Sequence, residues 1–225
     1  MKIGIFGGTF NPIHYGHLRA AEEIAEKFLD QVIFVPTNIT SNKNINAEAH
    51  PQKRLEMAEI AIKGEQKFKV SDIEIKRGGF SYSYDTIVEL KKKYKDDDLY
   101  FIAGADAFLG LKSWKNAEAI LRTIDFIVAG RPKYGFKNLV KLIDFLPDNL
   151  KEDAEVDLKE EKIVIDEKRA VYFFNTTKLD ISSTVIRNNF KNNISNLFLL
   201  PNGVINYIIK NKLYESKQKT AKKNK

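Results

Sequence analysis

Residues 4–18 read GIFGGTFNPIHYGHL. An apolar run over residues 2–6 is cut off by Gly7 and Gly8; Asn11 and Pro12 follow, then His14 and His17. The chain has only three histidines, yet two stand three residues apart behind this turn. Beyond them Leu18, Ala21, Ala25 and Phe28 recur at the spacing of one helix face. Strand, glycine turn and helix start in direct succession read as the opening of a βαβ unit. Glycines at such a turn let the backbone approach a phosphate. The helix N-terminus adds N–H donors and the positive end of the helix dipole. Two histidines there can donate hydrogen bonds to phosphoryl oxygens.

The alternation continues along the chain. QVIFVP (31–36) is a second apolar run, closed by a proline, and a polar loop over residues 37–50 is long for a compact domain. Pro51 opens a helix that ends near Gly64. FKVSDIEI (68–75) reads as a strand and YDTIVELKKKY (84–94) as a helix. LYFIAG (99–104) and DFIVAG (125–130) read as buried strands with the helix NAEAILRT between them. AVYFF (170–174) is another strand; SSTVIRNNF (182–190) and PNGVINYIIKNKLY (201–214) are helices. Near-continuous apolar strands alternating with helices predict an α/β fold, a doubly wound parallel sheet with helices on both faces. No linker or repeat divides the chain, so one domain is expected over residues 1–215. Residues 133–169 read as an irregular, acid-rich insertion with a solvated face.

Composition narrows the function classes. With 225 residues and 43 % apolar content the chain is globular rather than disordered. It has no cysteine, which excludes disulfides and thiolate ligands. The N-terminal apolar run is too short for a secretion signal, and no stretch approaches a membrane-spanning length; a cytoplasmic location away from membranes is expected. The net charge of +7 suggests nucleic acid, but the last ten residues, SKQKTAKKNK, hold five lysines, and without them 32 basic residues face 30 acidic ones. The segment 216–225 reads as a disordered, solvated tail, so no nucleic-acid partner is expected. Deleting it should leave the melting temperature nearly unchanged. A large drop, by thermal melting, would show that the tail docks on the body. The sequence leaves oligomeric state open, a homo-oligomer included.

Taken singly, the candidate residues have plain readings. A His-x-x-His pair can hold a metal, but no dedicated third ligand stands out; either histidine can be a packing residue. The turn is neither G-x-G-x-x-G nor the lysine-containing phosphate loop. Ser182 and Ser183 suit a helix N-cap with Arg187 in solvent, or an anion site with Arg187 one turn later on the same face. Trp114, the only tryptophan, suits the core as well as a ligand face.

Together they are more specific. GGTFNPIHYGH, with His14 and His17, resembles the (H/T)-x-G-H signature of the nucleotidylyltransferase superfamily. FSYSYDT (80–86), FIAGADAF (101–108), Trp114, VAGRPKY (128–134) and DISSTVIR (180–187) then resemble, in that order, the nicotinate-nucleotide adenylyltransferase family. The resemblance spans roughly residues 1–214. It implies a Rossmann-like fold, Mg²⁺ bound through ATP phosphates, and transfer of AMP from ATP to nicotinate mononucleotide without a covalent enzyme intermediate. It further implies that His14, His17 and Arg187 act on the ATP phosphates. Gly8, Thr9, Phe10, Lys43, Gly104, Asp106, Ser182 and Ser183 join them in binding ATP. On the acceptor side it implies Tyr82, Ser83, Asp106, Trp114, Lys115 and Arg131, with Trp114 stacked on the pyridine ring and backbone N–H groups near Ser83 and Lys115 receiving the carboxylate. One segment departs from the family pattern P-T-x-x-P-P-H-K: here PTNITSNK places Thr40, Ser41 and Asn42 where Pro-Pro-His is usual and keeps Lys43. Two rival readings remain at this stage. One is a related transferase such as the phosphopantetheine enzyme, against which FSYSYDT, GADAF and Trp114 speak. The other is a non-catalytic nucleotide- or RNA-binding protein, against which His14, His17 and Arg187 speak.

Overall fold

The structure is a computed structural model and describes residues 1–40, 49–130, 142–177 and 179–215. At its centre lies β1 (Lys2–Gly8), parallel to β2 (Gln31–Pro36) on one side and β6 (Asp98–Gly104) on the other, with Ile5 beside Ile33 and Phe101. Outward from β2 lies β4 (Phe68–Val70); outward from β6 lie β7 (Asp125–Ala129) and β10 (Ala170–Phe174), all parallel. Two antiparallel strands, β9 (Lys162–Val164) and β8 (Glu155–Asp157), complete an eight-stranded sheet in the order β4-β2-β1-β6-β7-β10-β9-β8. A separate pair, β3 (Ile39–Thr40) and β5 (Phe80–Ser81), runs parallel.

The apolar strands follow from burial on both sides. In β2, Val32 and Phe34 pack on one face and Ile33 and Val35 on the other. The first face is covered by α1 (Tyr15–Lys27), α2 (Pro51–Ala61), α8 (Ser183–Lys191) and α9 (Asn202–Lys210), through Ile24, Met57, Ile186 and Val204. The second is covered by α4 (Ser83–Lys93), α5 (Ala105–Leu109), α6 (Ala117–Thr123) and α7 (Asp148–Lys151), through Ile87, Phe108, Ile120 and Leu150. This is the doubly wound arrangement expected from the alternation. The chain leaves β1 across one face and β6 across the other. The two crossovers diverge, and a crevice opens above the carboxyl ends of β1 and β6. Among the described residues no helix is long and apolar enough to cross a membrane.

Two segments differ from the sequence reading. The strand expected over 68–75 stops at Val70, and residues 73–77 form the helix α3 (Ile73–Arg77). Val70 packs on the α1 side of the sheet and Ile73 on the α4 side. The period-two pattern therefore marks a chain crossing the end of the sheet, not a longer strand. The described part of the expected irregular insertion, residues 142–169, contains α7 and the β8–β9 hairpin, which adds an antiparallel edge to the parallel sheet. Asp157 turns the hairpin by accepting from the backbone N–H of Lys159 and Glu160 at 3.1 and 3.0 Å. Ile163 and Ile165 fasten it to the core. The acids around these few apolar residues hid their alternation.

Candidate active site

Two clefts open at the carboxyl end of the sheet. The first, about 480 Å³, lies over the crevice between β1 and β6 and is lined by His14, His17, Gly104, Asp106, Gly130 and Thr176, among others. The second, about 330 Å³, is lined by Ser81, Tyr82, Ser83, Trp114, Lys115 and Ile120. The segment from Gly104 to Lys115 touches both, so one connection positions groups of each.

His14 is the N-cap of α1 and almost fully buried. Its ring stacks on His17 with centroids 3.7 Å apart. Its backbone N–H donates to His17 Nδ1 at 3.3 Å. With Nδ1 accepting, neutral His17 carries its proton on Nε2 and is a donor there. Phe10 meets the His17 ring edge-on at 5.1 Å and Phe6 does so at 6.3 Å, which fixes its plane. Phe10 is 2 % exposed and has a left-handed backbone, φ 46°, a conformation that a bulky residue adopts only where its surroundings over-determine it. A Cβ on Gly8 would lie 2.8 Å from the Phe10 ring. Gly8→Ala should therefore push Phe10 against His17 and lower kcat/KM for ATP by about 10-fold or more, since misplacement on the 1 Å scale costs up to about 10²-fold. Unchanged initial rates over an ATP series would refute this role for the glycine.

The loop between β1 and α1 is held from below. Arg187 Nη1 donates to the carbonyl of Asn11 at 2.9 Å, the Ser183 hydroxyl donates to the carbonyl of Pro12 at 2.8 Å, and the buried Tyr214 hydroxyl donates to Asn11 Oδ1 at 2.6 Å. The Asn11–Pro12 peptide is cis. Ser182 caps α8 by accepting from the N–H of Thr184 at 3.2 Å. Ser183 and Arg187, expected at the ATP phosphates, are thus placed against the backbone of the histidine loop, while Asp180 and Ile181 of the same motif line the first cleft. Gly8, Thr9 and Phe10 lie beneath the histidines: Gly8 O accepts from Thr37 N at 3.0 Å and Thr9 O from Arg54. Lys43 and Arg131, both expected to contact substrate, lie outside the described residues, as do Ser41, Asn42 and the tail 216–225.

The second cleft gathers Tyr82, Ser83, Trp114 and Lys115 as expected for one pocket. Tyr82 is the N-cap of α4. The leading N–H groups of that helix have no intrahelical partner, and its first turn forms one wall. Trp114 is half-buried, edge-on to Phe101 at 5.9 Å and tilted on Phe126 at 6.3 Å. The core thus holds the indole while the cleft takes the rest of its surface. Lys115 Nζ sits 3.3 Å from Asp85 Oδ2 and 4.3 Å over the Tyr82 ring. A helix N-terminus and an ammonium on one small cleft favour an anion, and a flat indole favours an aromatic ring.

Three groups escaped the sequence reading. Arg54 is fully buried, with Nη1 donating to Thr9 O at 2.7 Å, Nη2 to Asn38 O at 2.9 Å and Nε to Ala49 O at 3.2 Å. Burial pushes its guanidinium down to about 10, still charged at neutral pH. The signal was present: Arg54 shares the buried face of α2 with Met57 and Ala58, at i+3 and i+4. Thr176 and Thr177 line the first cleft from an aperiodic loop that carries no such signal. Thr177 N donates to the buried Glu23 at 2.9 Å. Burial acts to raise the Glu23 carboxyl, but bonds from Thr177 and Arg19 outweigh it and hold it below the usual carboxylate range.

Comparison with known proteins agrees with this arrangement. The cytidylyltransferase-like family model matches residues 5–189. A protein of Citrifermentans bemidjiense named "Probable nicotinate-nucleotide adenylyltransferase" is 40 % identical over 215 residues, 95 % of this chain and 98 % of its own. One of the same name from Desulfatibacillum aliphaticivorans is 39 % identical, over 95 % and 100 % of the two chains. Among solved structures, the nicotinic acid mononucleotide adenylyltransferase of Plasmodium falciparum, complexed with NaAD, superposes with a TM-score of 0.71 at 22 % identity, over 95 % of this chain and 97 % of that one. That likeness shows the Rossmann-like fold; the sequence relatives show more, because they run the length of both clefts and carry one name, and this chain belongs to the nicotinate-nucleotide adenylyltransferase family.

Proposed function

We propose that the protein transfers AMP from ATP to nicotinate mononucleotide, forming nicotinate adenine dinucleotide and releasing pyrophosphate. The observation that carries this reading is the pair of clefts joined by residues 104–115. One holds the stacked histidines and Asp106; the other holds Trp114, Lys115 and the α4 N-terminus. A donor and an aromatic anionic acceptor then meet above one sheet.

In the step itself an oxygen of the mononucleotide phosphate bonds to the α-phosphorus of ATP. The bond from that phosphorus to the bridging oxygen breaks, and its electron pair leaves with pyrophosphate. No side chain is needed as nucleophile. Holding both anions in line can lower the barrier by roughly 7–11 kcal/mol in favourable systems. A donor aimed at the developing charge adds on the order of 3–4 kcal/mol. His17 Nε2 is assigned that role and His14 holds it in place. Arg187 and Ser183 are assigned to the phosphates on exchange of their bonds to Asn11 and Pro12. Asp106 is assigned to nucleotide hydroxyls.

Among the described residues no three histidine, cysteine or carboxylate side chains gather into a metal site. Mg²⁺ is proposed to enter on the ATP phosphates, where it would neutralise charge on the leaving group. The cytoplasmic assignment rests on ATP as the substrate.

Pyrophosphate release, followed with ATP and a panel of nicotinate mononucleotide, nicotinamide mononucleotide and phosphopantetheine, tests the reading. Release with the first is expected. Release only with phosphopantetheine, or with none, would overturn it.

A further inference from the structure

The acceptor cleft and the histidine loop are not independent neighbours. Arg54 is fully buried and lines neither cleft. A buried guanidinium is costly unless its donors are used. This one uses them on backbone carbonyls of separate loops: Thr9 behind β1, Asn38 behind β2, and Ala49 before α2. A weaker bond reaches Thr37 Oγ1 at 3.4 Å. Asn38 passes the connection on. Its N–H donates to Ser81 Oγ at 2.8 Å and its side-chain amide donates to Gly79 O at 2.9 Å. The β3–β5 pair continues the same contact, Ile39 beside Phe80 and Thr40 beside Ser81.

Ser81 lines the acceptor cleft. Behind it sits Glu74, 4 % exposed, whose carboxyl is raised by burial and drawn back by the Ser81 and Thr86 hydroxyls and by Arg77. Thr86, in the first turn of α4, donates to Glu74 and accepts from Arg77 Nη2 at 2.9 Å. A hydrogen-bonded chain therefore runs from Thr9 through Arg54 and Asn38 to Ser81, in the wall of the acceptor cleft. Thr9, Arg54, Asn38 and Ser81 belong to separate segments, so no single element fixes both ends.

We propose that Arg54 is a positioning residue that couples the two substrate sites, acting through Asn38 and Ser81, so that filling the histidine cleft tightens the acceptor cleft. The proposal rests on the adenylyl-transfer reading above. A nucleotide drawing on the loop at Thr9 loads the guanidinium, which carries Asn38, and with it the segment 79–81 at the mouth of the second cleft. Lysine at position 54 keeps the charge but lacks the planar fork that reaches several carbonyls at once.

The test is isothermal titration of nicotinate mononucleotide into the full chain. It is run with and without a saturating ATP analogue whose α- and β-phosphorus atoms are joined by a methylene. For the unmodified protein the analogue should tighten mononucleotide binding by at least about 5-fold, the lower end of ordinary site-to-site coupling. In Arg54→Lys and in Ser81→Ala that ratio should fall below about 2-fold. A ratio near one in the unmodified protein, or an unchanged ratio in Arg54→Lys, overturns the proposal. A merely structural arginine belongs to the second case: its loss lowers melting temperature and both affinities together and leaves the ratio intact. Should Arg54→Lys fail to fold, Ser81→Ala, which removes the Oγ that accepts from the Asn38 N–H, is read against the same two outcomes. If the unmodified protein binds no nicotinate mononucleotide in either arm, the functional reading falls and the coupling with it; binding without coupling removes the coupling alone.

Discussion

His17→Ala should lower kcat by about 10²-fold or more and change the melting temperature little. The ring is half-buried between Phe10, Phe6 and His14, so its loss leaves a small gap beside the cleft rather than a hole in the core. What disappears is a donor whose proton is pinned to Nε2 by the His14 N–H on Nδ1. A donor aimed at charge that grows in the transition state acts on kcat and on kcat/KM alike, and one such group is worth on the order of 3–4 kcal/mol. Steady-state kinetics with both substrates saturating give the number directly. Turnover near that of the unmodified protein would remove His17 from the chemistry. A raised KM with kcat intact would reassign it to ground-state binding.

Preference for the acid over the amide mononucleotide should reach at least about 10²-fold in kcat/KM. The second cleft is walled by the first turn of α4, whose leading N–H groups lack partners within the helix, and by Lys115. Donors suit a carboxylate. An amide in the same place offers one oxygen and turns an NH₂ toward a remaining N–H, leaving a buried donor unmatched at about 1–3 kcal/mol. Sites built from hydrogen bonds reject analogues that lack them more strongly than apolar pockets do. Trp114→Ala should weaken both mononucleotides, because stacking does not sense the carboxylate, and should leave the KM for ATP nearly unchanged. Comparable kcat/KM for acid and amide would refute the acid-reading cleft and indicate a dual-specificity enzyme.

The parts of this molecule visible in the sequence are those that repeat or punctuate. Buried parallel strands carry uninterrupted apolar runs, and β1, β2, β6, β7 and β10 fall where such runs stand, with helix starts at Tyr15, Pro51, Ser83 and Ser183 beside them. The histidine pair was legible because glycine, proline and histidine are sparse enough to mark a turn. Contacts that form only across the fold were not legible. Nothing near Arg187 in the chain announces that it meets the Asn11 carbonyl, 176 positions away. The DISSTVIR motif suggests an anion site, and that Ser183 and Arg187 also meet the backbone of the histidine loop carries no signal in the motif, because a hydroxyl and a guanidinium serve a carbonyl as readily as a phosphate. Arg54 was passed over since arginine on a helix reads as solvated until the face it shares is compared with Met57 and Ala58. Residues 68–75 misled because alternation reports that successive side chains part company, which a strand does about one sheet and a crossing chain does between two faces.

The β8–β9 hairpin has a bearing on how the protein behaves in a crowd. A sheet of parallel strands ends in bare N–H and C=O groups, and any exposed row of these is a template on which another chain can lay itself. Here the last described strand on that side is three residues, Glu155, Val156 and Asp157, with an acid at each end. A second molecule approaching the same border in antiparallel fashion would set glutamate against aspartate twice, and the Asp157 carboxylate already bends the chain away through Lys159 and Glu160. On the far side β4 is equally brief, Phe68 to Val70. Two short borders, one of them edged with acids, oppose growth by strand addition, which makes the acids of this segment guardians of colloidal behaviour rather than of catalysis.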